Sequence, residues 1–450
     1  MSRVLRTVGV LVLAVVSAGC FWPAPGQNPG RTAYNPSETA LTPATVGQLT
    51  QRWVWTSGAS RHVFGAVAST AGIHVISDDD CRLATIKPTT GALAWDFPLS
   101  FYAQIGFDDC TITTLGDPFV AGGRVWVGRQ GVLIKQPPAP LTFSDIATLG
   151  FELDGTPAVE WSGAALENIR GDVAHGVGGF ITSQQLPPPL SIVIYSFVPT
   201  VAVGNLGTEW HQLAIPAEQV GVALGGRTLG ASALYDAGTG LLASAPGDTS
   251  AGNGLRAYAL TGATPGCGSV GEFDCATWAT PLDGTDSWQP VIADDGATVY
   301  TGTDAGTVYA VDSATGAVRW SAAVGSAVTG SVALAGDTLY VPTASGDLVA
   351  LAANGCGAAT CDPVWSGATG GSIDQQPAVA GGVVYTASAD GSLHAFDASG
   401  CGGDATCPAL WSAATGRKFS GGPVVSNGWL YATFDSDTAG QGGLVAFSQP

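Results

Sequence analysis

Residues 306–320 read GTVYAVDSATGAVRW, and weaker copies of this stretch recur through the second half of the chain. It contains a turn glycine, an alternating run from Val308 to Asp312, a second turn at Thr315-Gly316, and a run that ends at Trp320. Alternation with a period of two between glycine-containing turns is typical of β-hairpins. A hairpin repeated in this way predicts an all-β fold built from similar units.

The repeat has a nearly constant length. Trp278, Trp320, Trp365 and Trp411 close successive units and are 42, 45 and 46 residues apart. Two further short runs precede each hairpin, as in ATVYT at residues 297–301, so each unit contains four short strands. Units of about 40–50 residues with four strands are typical of the blades of a β-propeller.

The motif resembles the PQQ-type propeller repeat, which is found in quinoprotein dehydrogenases and in their non-enzymatic relatives. Ala310, Asp312, Thr315, Gly316 and Trp320 match the A-x-D-x-x-T-G-x-x-x-W motif of that family. The resemblance implies four-stranded antiparallel blades with a Trp buried between neighbours, where an indole buries a large apolar area while its N–H finds an acceptor. The predicted blade-docking residues are Trp53, Trp95, Trp161, Trp210, Trp278, Trp320, Trp365 and Trp411.

We predict that residues 48–450 form one eight-bladed propeller. Residues 99–282 fit the repeat poorly, so seven blades are the alternative. The last unit has no outer strand of its own, whereas residues 49–55, LTQRWVW, have the pattern of a strand without a hairpin partner. Pairing of this N-terminal strand with the last unit would close the ring, as it does in the family, and would remove both exposed sheet edges.

Residues 1–19 are predicted to be a signal peptide, with Arg3 and Arg6 before a short apolar core. The sequence Ser17-Ala18-Gly19-Cys20 resembles a bacterial lipobox, with Ser17 where Leu is usual, and predicts lipidation of Cys20. Residues 20–47 would then be a Pro/Gly-rich leash and N-terminal segment. The expected location is the outer face of the bacterial cell membrane. The alternative is ordinary signal-peptide cleavage without a lipid.

The number of cysteines is consistent with export from the cytoplasm. Of nine cysteines, eight remain when Cys20 is set aside, an even number that suits a compartment where disulfides persist. Three pairs are close in sequence and the fourth follows by elimination. No metal site is predicted, since neither C-x-x-C nor a nearby His is present. The predicted disulfides are Cys81–Cys110, Cys267–Cys275, Cys356–Cys361 and Cys401–Cys407.

The chain is acidic, with 35 Asp and Glu against 16 Lys and Arg and a formal net charge of −19. This charge disfavours nucleic acids and anionic lipid surfaces as partners. Membrane attachment is therefore expected through the N-terminal lipid only, and we expect a monomer. Acidic runs such as Asp78-Asp79-Asp80 lack the twelve-residue EF-hand spacing and are interpreted as solvated turns.

The resemblance raises the question of catalysis, because quinoprotein dehydrogenases hold PQQ and Ca²⁺ on the propeller axis. Those enzymes resemble one another in an adjacent Cys-Cys pair, which is absent from this sequence, and no C-x-x-C-H haem motif is present. The five histidines are scattered, and neither G-x-S-x-G nor H-E-x-x-H occurs. We therefore predict no catalytic residue and no cofactor. A hydrolase or lyase site assembled from several blades, or a PQQ-dependent dehydrogenase, is the alternative.

The favoured interpretation is a non-catalytic cell-surface lipoprotein whose propeller binds an envelope protein or a glycan. A ligand is expected at the axial funnel, near the residues that open the first strand of each unit. The other interpretation of these residues is ordinary polar lining of the channel. The candidates are Ser287, Trp288, Gln289, Asp374, Gln375, Gln376, Lys418 and Ser420.

Overall fold

The computed structural model describes residues 21–28, 30–99, 112–115, 117–121, 123–133, 143–165, 174–176, 179–184, 192–198, 209–215, 232–235, 241–244, 254–259, 278–284, 289–293 and 295–450. These residues form β-strands, turns and one short 3-10 helix over Val46–Gln48. Within these ranges no helix is long and apolar enough to cross a bilayer.

The described strands form eight sheets, numbered 1 to 8 in chain order, and two N-terminal strands, β1 (Tyr34–Asn35) and β2 (Thr50–Thr56), join sheets made by later residues. Sheet 1 contains β3 (Val63–Ala68), β4 (Ile73–Ser77), β5 (Arg82–Ile86) and β6 (Leu93–Pro98). Sheet 2 contains β7 (Ile112–Leu115), β8 (Phe119–Ala121), β9 (Arg124–Leu133), β10 (Phe143–Glu152) and β11 (Pro157–Ala165). Sheet 3 contains β12 (Ala174–Gly176), β13 (Gly179–Gln184), β14 (Ile192–Val198) and β15 (Glu209–Ile215). Sheet 4 contains β16 (Ser232–Tyr235), β17 (Leu241–Ser244), β18 (Gly254–Ala259) and β19 (Trp278–Pro281).

The sheets of the second half follow the same plan. Sheet 5 contains β20 (Val291–Ile292), β21 (Thr298–Gly302), β22 (Thr307–Asp312) and β23 (Val318–Ala323). Sheet 6 contains β24 (Ala333–Ala335), β25 (Thr338–Pro342), β26 (Asp347–Ala352) and β27 (Trp365–Ala368). Sheet 7 contains β28 (Ala378–Ala380), β29 (Val383–Ala387), β30 (Ser392–Asp397) and β31 (Trp411–Ala414). Sheet 8 contains β32 (Lys418–Phe419), β33 (Val424–Ser426), β34 (Trp429–Asp435) and β35 (Gly443–Ser448).

Each sheet is an antiparallel meander with four strand positions; in sheets 2 and 8 the first position is divided between two short strands. The first strands contact one another from sheet to sheet, as β3 does with β8 and β33, and β28 with β24 and β33. The first strands therefore surround a common axis and the fourth strands lie at the rim, which is the arrangement of a propeller. The predicted all-β propeller of four-stranded blades is confirmed, whereas the number of blades stays a prediction.

The repeat motif fixes the register of the outer hairpin. Trp320 on β23 lies directly opposite Ala310 on β22, so the smallest side chain of the motif faces the largest. A methyl group at this position leaves room for the indole to lie over the neighbouring strand. The same Trp–Ala pairing occurs for Trp53–Ala446, Trp278–Ala257, Trp365–Ala350 and Trp411–Ala395.

Each indole is held by the next sheet. Nε1 of Trp320 donates to the carbonyl of Ala353 at 3.1 Å, and a Cβ at Gly355 would lie 2.6 Å from Cδ1 of this ring. Gly355 also has a φ of +77°, which other residues rarely adopt. Glycine at this position therefore allows both this backbone conformation and the close approach of the Trp320 ring. Equivalent contacts join Trp53 to Pro88 and Gly91, Trp95 to Leu153 and Gly155, Trp278 to Ser313 and Gly316, and Trp365 to Gly400.

Three predicted positions remain, and two of them are located by their strands only. Trp161 lies on β11 and Trp210 on β15, each the fourth strand of its sheet, and their side chains lie outside the described part of the chain. Trp411 donates to the carbonyl of Leu49 at 3.0 Å, so the residue before β2 receives the indole of sheet 7. The N-terminal segment thus supplies the docking position that a hairpin turn supplies elsewhere.

The turn that precedes Trp320 is stabilised by the Asp of the motif, Asp312. In sheet 5, Asp312 accepts hydrogen bonds from the backbone N–H and hydroxyl of Thr315 at 2.9 and 2.8 Å, and its other oxygen accepts from Arg319 at 2.7 Å. The hydrogen bonds from Arg319 and Thr315 lower the pKa of Asp312 to about 2. The carboxylate is therefore charged throughout the physiological range.

Disulfide loops replace this turn in sheets 6 and 7. The structure contains the predicted Cys356–Cys361 and Cys401–Cys407 disulfides. The first loop pairs with the outer edge of sheet 5, where Ser321 donates to Ala359 at 2.9 Å and Cys361 donates back to Ser321 at 2.9 Å. The second loop pairs with β27 in the same way. Each loop therefore covers the exposed edge of the preceding sheet.

The other two predicted disulfides lie largely outside the described residues. Cys81 is buried and disulfide-bonded, whereas Cys110, Cys267 and Cys275 fall outside the ranges that the structure describes. The pairing of these cysteines stays a prediction.

The N-terminal strand completes sheet 8. β2 pairs antiparallel with β35 from Thr50 opposite Ser448 to Thr56 opposite Gly443, with one irregularity between Gln51 and Trp53. The structure thus has the ring closure that the sequence predicted.

One buried titratable group lies in sheet 1. His74 on β4 is fully buried beside Trp95, with 5.9 Å between ring centroids. Its Nδ1 and Nε2 lie 2.7 Å from the hydroxyls of Thr85 and Ser69. Burial lowers the pKa of His74 to about 3, so the imidazole is neutral at pH 7.

We expect Trp320→Ala to lower the free energy of unfolding by about 3–5 kcal/mol, because it leaves a large cavity between two sheets. The matched control is Val318→Ala on the same strand, where the side chain is 45% exposed and the change should stay within about 0.5 kcal/mol. Denaturant-induced unfolding monitored by circular dichroism measures both. Equal losses for the two variants would contradict the docking role of Trp320.

We expect the stability to fall as the pH decreases from 6.5 towards 3, because the unfolded chain binds a proton that buried His74 excludes. The contribution of one such group approaches about 1.4 kcal/mol per pH unit inside this window. Denaturant unfolding across the window should show a smaller pH slope for His74→Gln than for the wild type. An unchanged slope in H74Q would show that His74 is not responsible.

Candidate functional site

The centre of the propeller is occupied by the chain's own N-terminal residues. We call residues 22–35 the axial segment; residue 29 lies outside the described part. Its backbone carbonyls accept one hydrogen bond from the first strand of each of five sheets. The pairs are Ala68 N–H with Trp22, Val120 with Pro23, Ile292 with Gly30, Leu334 with Thr32 and Val379 with Ala33, at 2.6–2.8 Å.

Side chains complete this attachment. Nε2 of Gln376 donates to the carbonyls of Arg31 and Val332, both at 2.8 Å, and Nδ2 of Asn35 donates to Val425 in sheet 8 at 2.9 Å. β1, at the end of the segment, pairs parallel with β28. The axial segment is thereby connected to six sheets.

The expectation of a leash between lipid and propeller is wrong for the described residues 21–28 and 30–47. Trp22, Ala33, Asn35, Glu38 and Leu41 are each no more than 3% exposed. The many prolines and glycines of this stretch, which suggested a flexible linker, allow it instead to turn within a narrow space; at Gly30, for example, a Cβ would lie 2.7 Å from the carbonyl oxygen of Ile292. These residues belong to the propeller domain.

An axial cavity of about 430 Å³ lies beside this segment, at the end where the first strands begin. Trp22, Gly26 and Arg31 of the axial segment form part of its wall. The other walls come from the residues that open the first strands, and polar and apolar groups contribute to them about equally. They include Gln289, Ser331, Asp374, Gln375, Gln376, Ser420 and Asp117.

A second cavity of about 620 Å³ adjoins the first and shares Phe64, Asp374, Gln375 and Ser420 with it. We call the two together the funnel. The second cavity lies among sheets 7, 8 and 1, and its remaining wall includes several ionisable side chains. These are His62, Asp78, Lys418 and Asp435.

The second cavity contains a close His–Asp contact and a carboxyl group with a raised pKa. Nδ1 of His62 lies 3.3 Å from Oδ2 of Asp435. Burial raises the pKa of Asp78, and the charge of His62 opposes this shift. Groups of both signs therefore face one polar recess, which suits hydrogen bonding to a polar ligand.

The structure brings six of the eight predicted funnel residues together. Gln289, Asp374, Gln375, Gln376 and Ser420 line the first cavity, and Lys418 lines the second. Ser287 and Trp288 lie outside the described residues.

Four of the six have hydrogen-bond partners within the protein, and Oδ1 of Asp374 accepts from the hydroxyl of Ser372 at 2.6 Å. The amide of Gln376 holds the axial segment, and the hydroxyl of Ser420 donates to the carbonyl of Val63 in sheet 1. Gln289 accepts from Ser331 at 3.3 Å. Asp374 and Lys418 are exposed at the rim and are the better candidates for ligand contact.

Sequence reasoning did not place His62, Asp78 and Asp435 in the funnel. His62 and Asp78 flank strands of sheet 1, whereas Asp435 ends β34 of sheet 8 more than 350 residues later in the chain. Sequence reasoning also missed Trp22 and Arg31. A lone Trp in a Pro/Gly-rich stretch was the available signal, since a linker seldom carries a large aromatic residue.

The residues present do not fit PQQ. In the dehydrogenases that the repeat resembles, the cofactor lies on the propeller axis, and here buried residues of the axial segment form part of the wall of the axial cavity. PQQ is a polycarboxylate, whereas the described wall of the first cavity contains one cation, Arg31, beside Asp117 and Asp374. Among the described side chains no group of three or more His, Cys, Asp or Glu is placed to hold a metal ion.

Comparison with known proteins supports the identification of the repeat as PQQ-type. Residues 268–356 and 304–400 match the family model described as outer membrane protein assembly factor BamB. Together with the fold, this match confirms the predicted PQQ-type repeat. A search of curated proteins finds no significant match.

The structure is similar to solved propellers at low sequence identity. Quinohemoprotein alcohol dehydrogenase from Comamonas testosteroni is 14% identical with a TM-score of 0.66, covering 95% of this chain and 80% of that one. A europium-containing methanol dehydrogenase is 13% identical with a TM-score of 0.66, covering 96% and 98%. BamB from Moraxella catarrhalis is 16% identical with a TM-score of 0.53, covering 89% and 97%. At these identities the likeness concerns the fold.

We expect Gln376→Ala to lower the free energy of unfolding by about 1–3 kcal/mol, because it leaves the buried carbonyls of Arg31 and Val332 without their donor. Gln375→Ala, at the adjacent position of the same rim, should change it by no more than about 0.5 kcal/mol. Chemical denaturation followed by Trp fluorescence measures both variants. A loss in Q375A equal to that in Q376A would contradict the anchoring role of Gln376.

Proposed function

We propose that this protein is a non-catalytic binding propeller of the bacterial cell envelope, lipid-anchored at Cys20, and that its funnel rim holds an envelope protein or a glycan. The observation that carries the proposal is the occupied axis. Residues 22–28 and 30–35 lie along the inner strands at the propeller axis, and the funnel beside them has exposed Asp374 and Lys418 at its rim.

An envelope location is supported by three independent features. The first twenty residues have the pattern of a lipoprotein signal. The Cys356–Cys361 and Cys401–Cys407 disulfides suit an oxidising compartment. The matching family model is described as an outer membrane protein assembly factor. The assembly role in that description is not proposed here, because the match covers residues 268–400 only.

One observation favours an enzymatic alternative. His62, Asp78 and Asp435 share the second cavity, and Asp78 has a raised pKa, as general acids often do. A hydrolase or lyase would use these groups for proton transfer. Turnover of a polysaccharide or ester substrate that is abolished by His62→Ala would favour this alternative.

The proposal is tested by photo-crosslinking in intact cells, with p-benzoylphenylalanine at Asp374 or Lys418. The matched control is Asp404, an exposed residue in the Cys401–Cys407 loop, away from the funnel. We expect covalent adducts at both rim positions and none at Asp404. Protease digestion of the adduct distinguishes a protein from a glycan. Adducts of equal yield at all three positions, or none at the rim, would refute a rim-binding function.

The same purified protein should show no dye-linked alcohol or sugar oxidation after addition of PQQ and Ca²⁺, and no PQQ-dependent rise in melting temperature. The reason is that the described wall of the axial cavity offers a single cation, Arg31, to a polycarboxylate. Oxidation that depends on added PQQ would overturn the non-catalytic interpretation.

A further inference from the structure

We propose that the second cavity of the funnel binds an uncharged sugar unit of an envelope glycan. The proposal rests on the proposed rim-binding function and chooses between the two ligand classes, protein and glycan, that this function includes. A sugar presents an apolar face of C–H groups and a ring of hydroxyls, and each hydroxyl both donates and accepts hydrogen bonds. The cavity wall combines aromatic rings with donors and acceptors, which suit these two features.

The apolar part of the wall consists mainly of two aromatic rings. Phe64 on β3 and Phe419 on β32 are half-buried, and each packs against a cluster of buried core residues. The hydroxyl of Ser420 donates to the carbonyl of Val63, so the chain next to each ring is held at the boundary between sheets 8 and 1. Both rings therefore have a fixed position, with part of their surface left to the cavity. A rigid aromatic surface of this kind suits the C–H face of a sugar.

The hydrogen-bonding part of the wall contains donors and acceptors in the same recess. The carboxylate of Asp374 accepts one hydrogen bond, from Ser372, and has lone pairs left for a further donor. The ammonium of Lys418 supplies donors only, and the amide of Gln375 supplies both kinds of group. Asp374 and Lys418 are also exposed. The rim thus offers both of the partners that a hydroxyl needs.

The same wall is poorly suited to a protein anchor. The central part of a protein interface is depleted of charged residues and enriched in apolar anchors, with charges at its periphery. Here the recess itself is lined by five ionisable side chains, namely His62, Asp78, Asp374, Lys418 and Asp435. Strand addition by an extended peptide is obstructed as well, because the axial segment already accepts an N–H from the first strand of five sheets.

The charges of the recess select against an acidic sugar. Its three carboxylates face one ammonium and one imidazole. Burial raises the pKa of Asp78, and the carboxylates of Asp79 and Asp435 raise it further, although the charge of His62 lowers it. A uronic acid or a phosphorylated sugar would bring another negative charge into this environment, which is unfavourable. An uncharged sugar avoids that repulsion and still uses the carboxylates as acceptors.

The test measures binding of the purified full-length protein to an array of immobilised oligosaccharides. One set contains neutral oligosaccharides of glucose, galactose, mannose or N-acetylglucosamine, and a matched set carries glucuronic acid or phosphate on the same backbones. We expect retention of at least one neutral oligosaccharide and at least about tenfold weaker retention of its acidic counterpart. Retention of the neutral probe should not change when the salt concentration is raised, because no ion pair joins it to the protein.

Variants of the cavity wall locate the binding. Asp374→Ala removes an exposed acceptor and Phe419→Ala removes an aromatic surface, and each should weaken binding of the retained neutral oligosaccharide by about tenfold. The matched control is Asp404→Ala, an exposed position in the Cys401–Cys407 loop, which should leave binding unchanged. Circular dichroism checks the fold of each variant. Because Asp374 is exposed, D374A keeps the test decisive even where F419A lowers stability.

Retention of no neutral oligosaccharide, equal retention of the acidic set, or equal binding by D374A and the wild type would overturn the proposal. Photo-crosslinking at Asp374 separates this failure from failure of the proposed function. Protease-sensitive adducts together with no retention on the array would refute the sugar site and leave a protein partner at the rim. Absence of adducts at the rim together with no retention would refute both.

Discussion

The pairing of β2 with β35 is the interaction on which the rest of the structure depends. A propeller made of antiparallel meanders has two free edges until its ends meet, and free edges are unstable and prone to association. Here the outer strand of sheet 8 comes from residues 50–56. Since β2 must lie at the rim, the residues before it have to cross a face of the propeller. The axial segment, the buried Glu38 and the docking of Trp411 on Leu49 all follow from this path.

The inner edges of the sheets pose a second problem, which the same segment solves. First strands surround the axis, and their inward N–H groups need acceptors, because a buried amide without a partner costs about as much as a lost hydrogen bond. The carbonyls of Trp22, Pro23, Gly30, Thr32 and Ala33 provide them, one for each of five sheets. The segment can do this because its turns and its left-handed residues, such as Arg31 and Ala33 with φ of +58° and +54°, direct successive carbonyls to different sheets, whereas a helix would direct them along its own axis.

The outer hairpins could be predicted from the sequence because their determinants are local and repeated. Trp320, Ala310 and the Asp312 turn lie within eleven residues, and each position has a physical reason: indole burial, space for the ring, and a turn that presents a carbonyl. The buried Tyr300 and Tyr340, which donate to Ala353 and Ala398 of the following sheets, recur just as regularly and were overlooked. The axial segment could not be predicted, because it has no periodicity and its partners are spread over the whole chain.

The funnel could be predicted in part, unlike the axial segment and less fully than the outer hairpins. Asp374 and Gln375 could be predicted as rim residues, since every first strand begins at the same end of the propeller. His62 and Asp435 meet only because sheets 8 and 1 become neighbours on ring closure, so their 3.3 Å approach is a consequence of the β2–β35 pairing. The path of the chain that closes the ring also limits which groups of the funnel can contact a ligand. By placing its own backbone on the axis, the chain saturates the inner amides that a ligand could otherwise contact. Recognition is then left to side chains at the rim, where charged and amide groups from separate sheets converge.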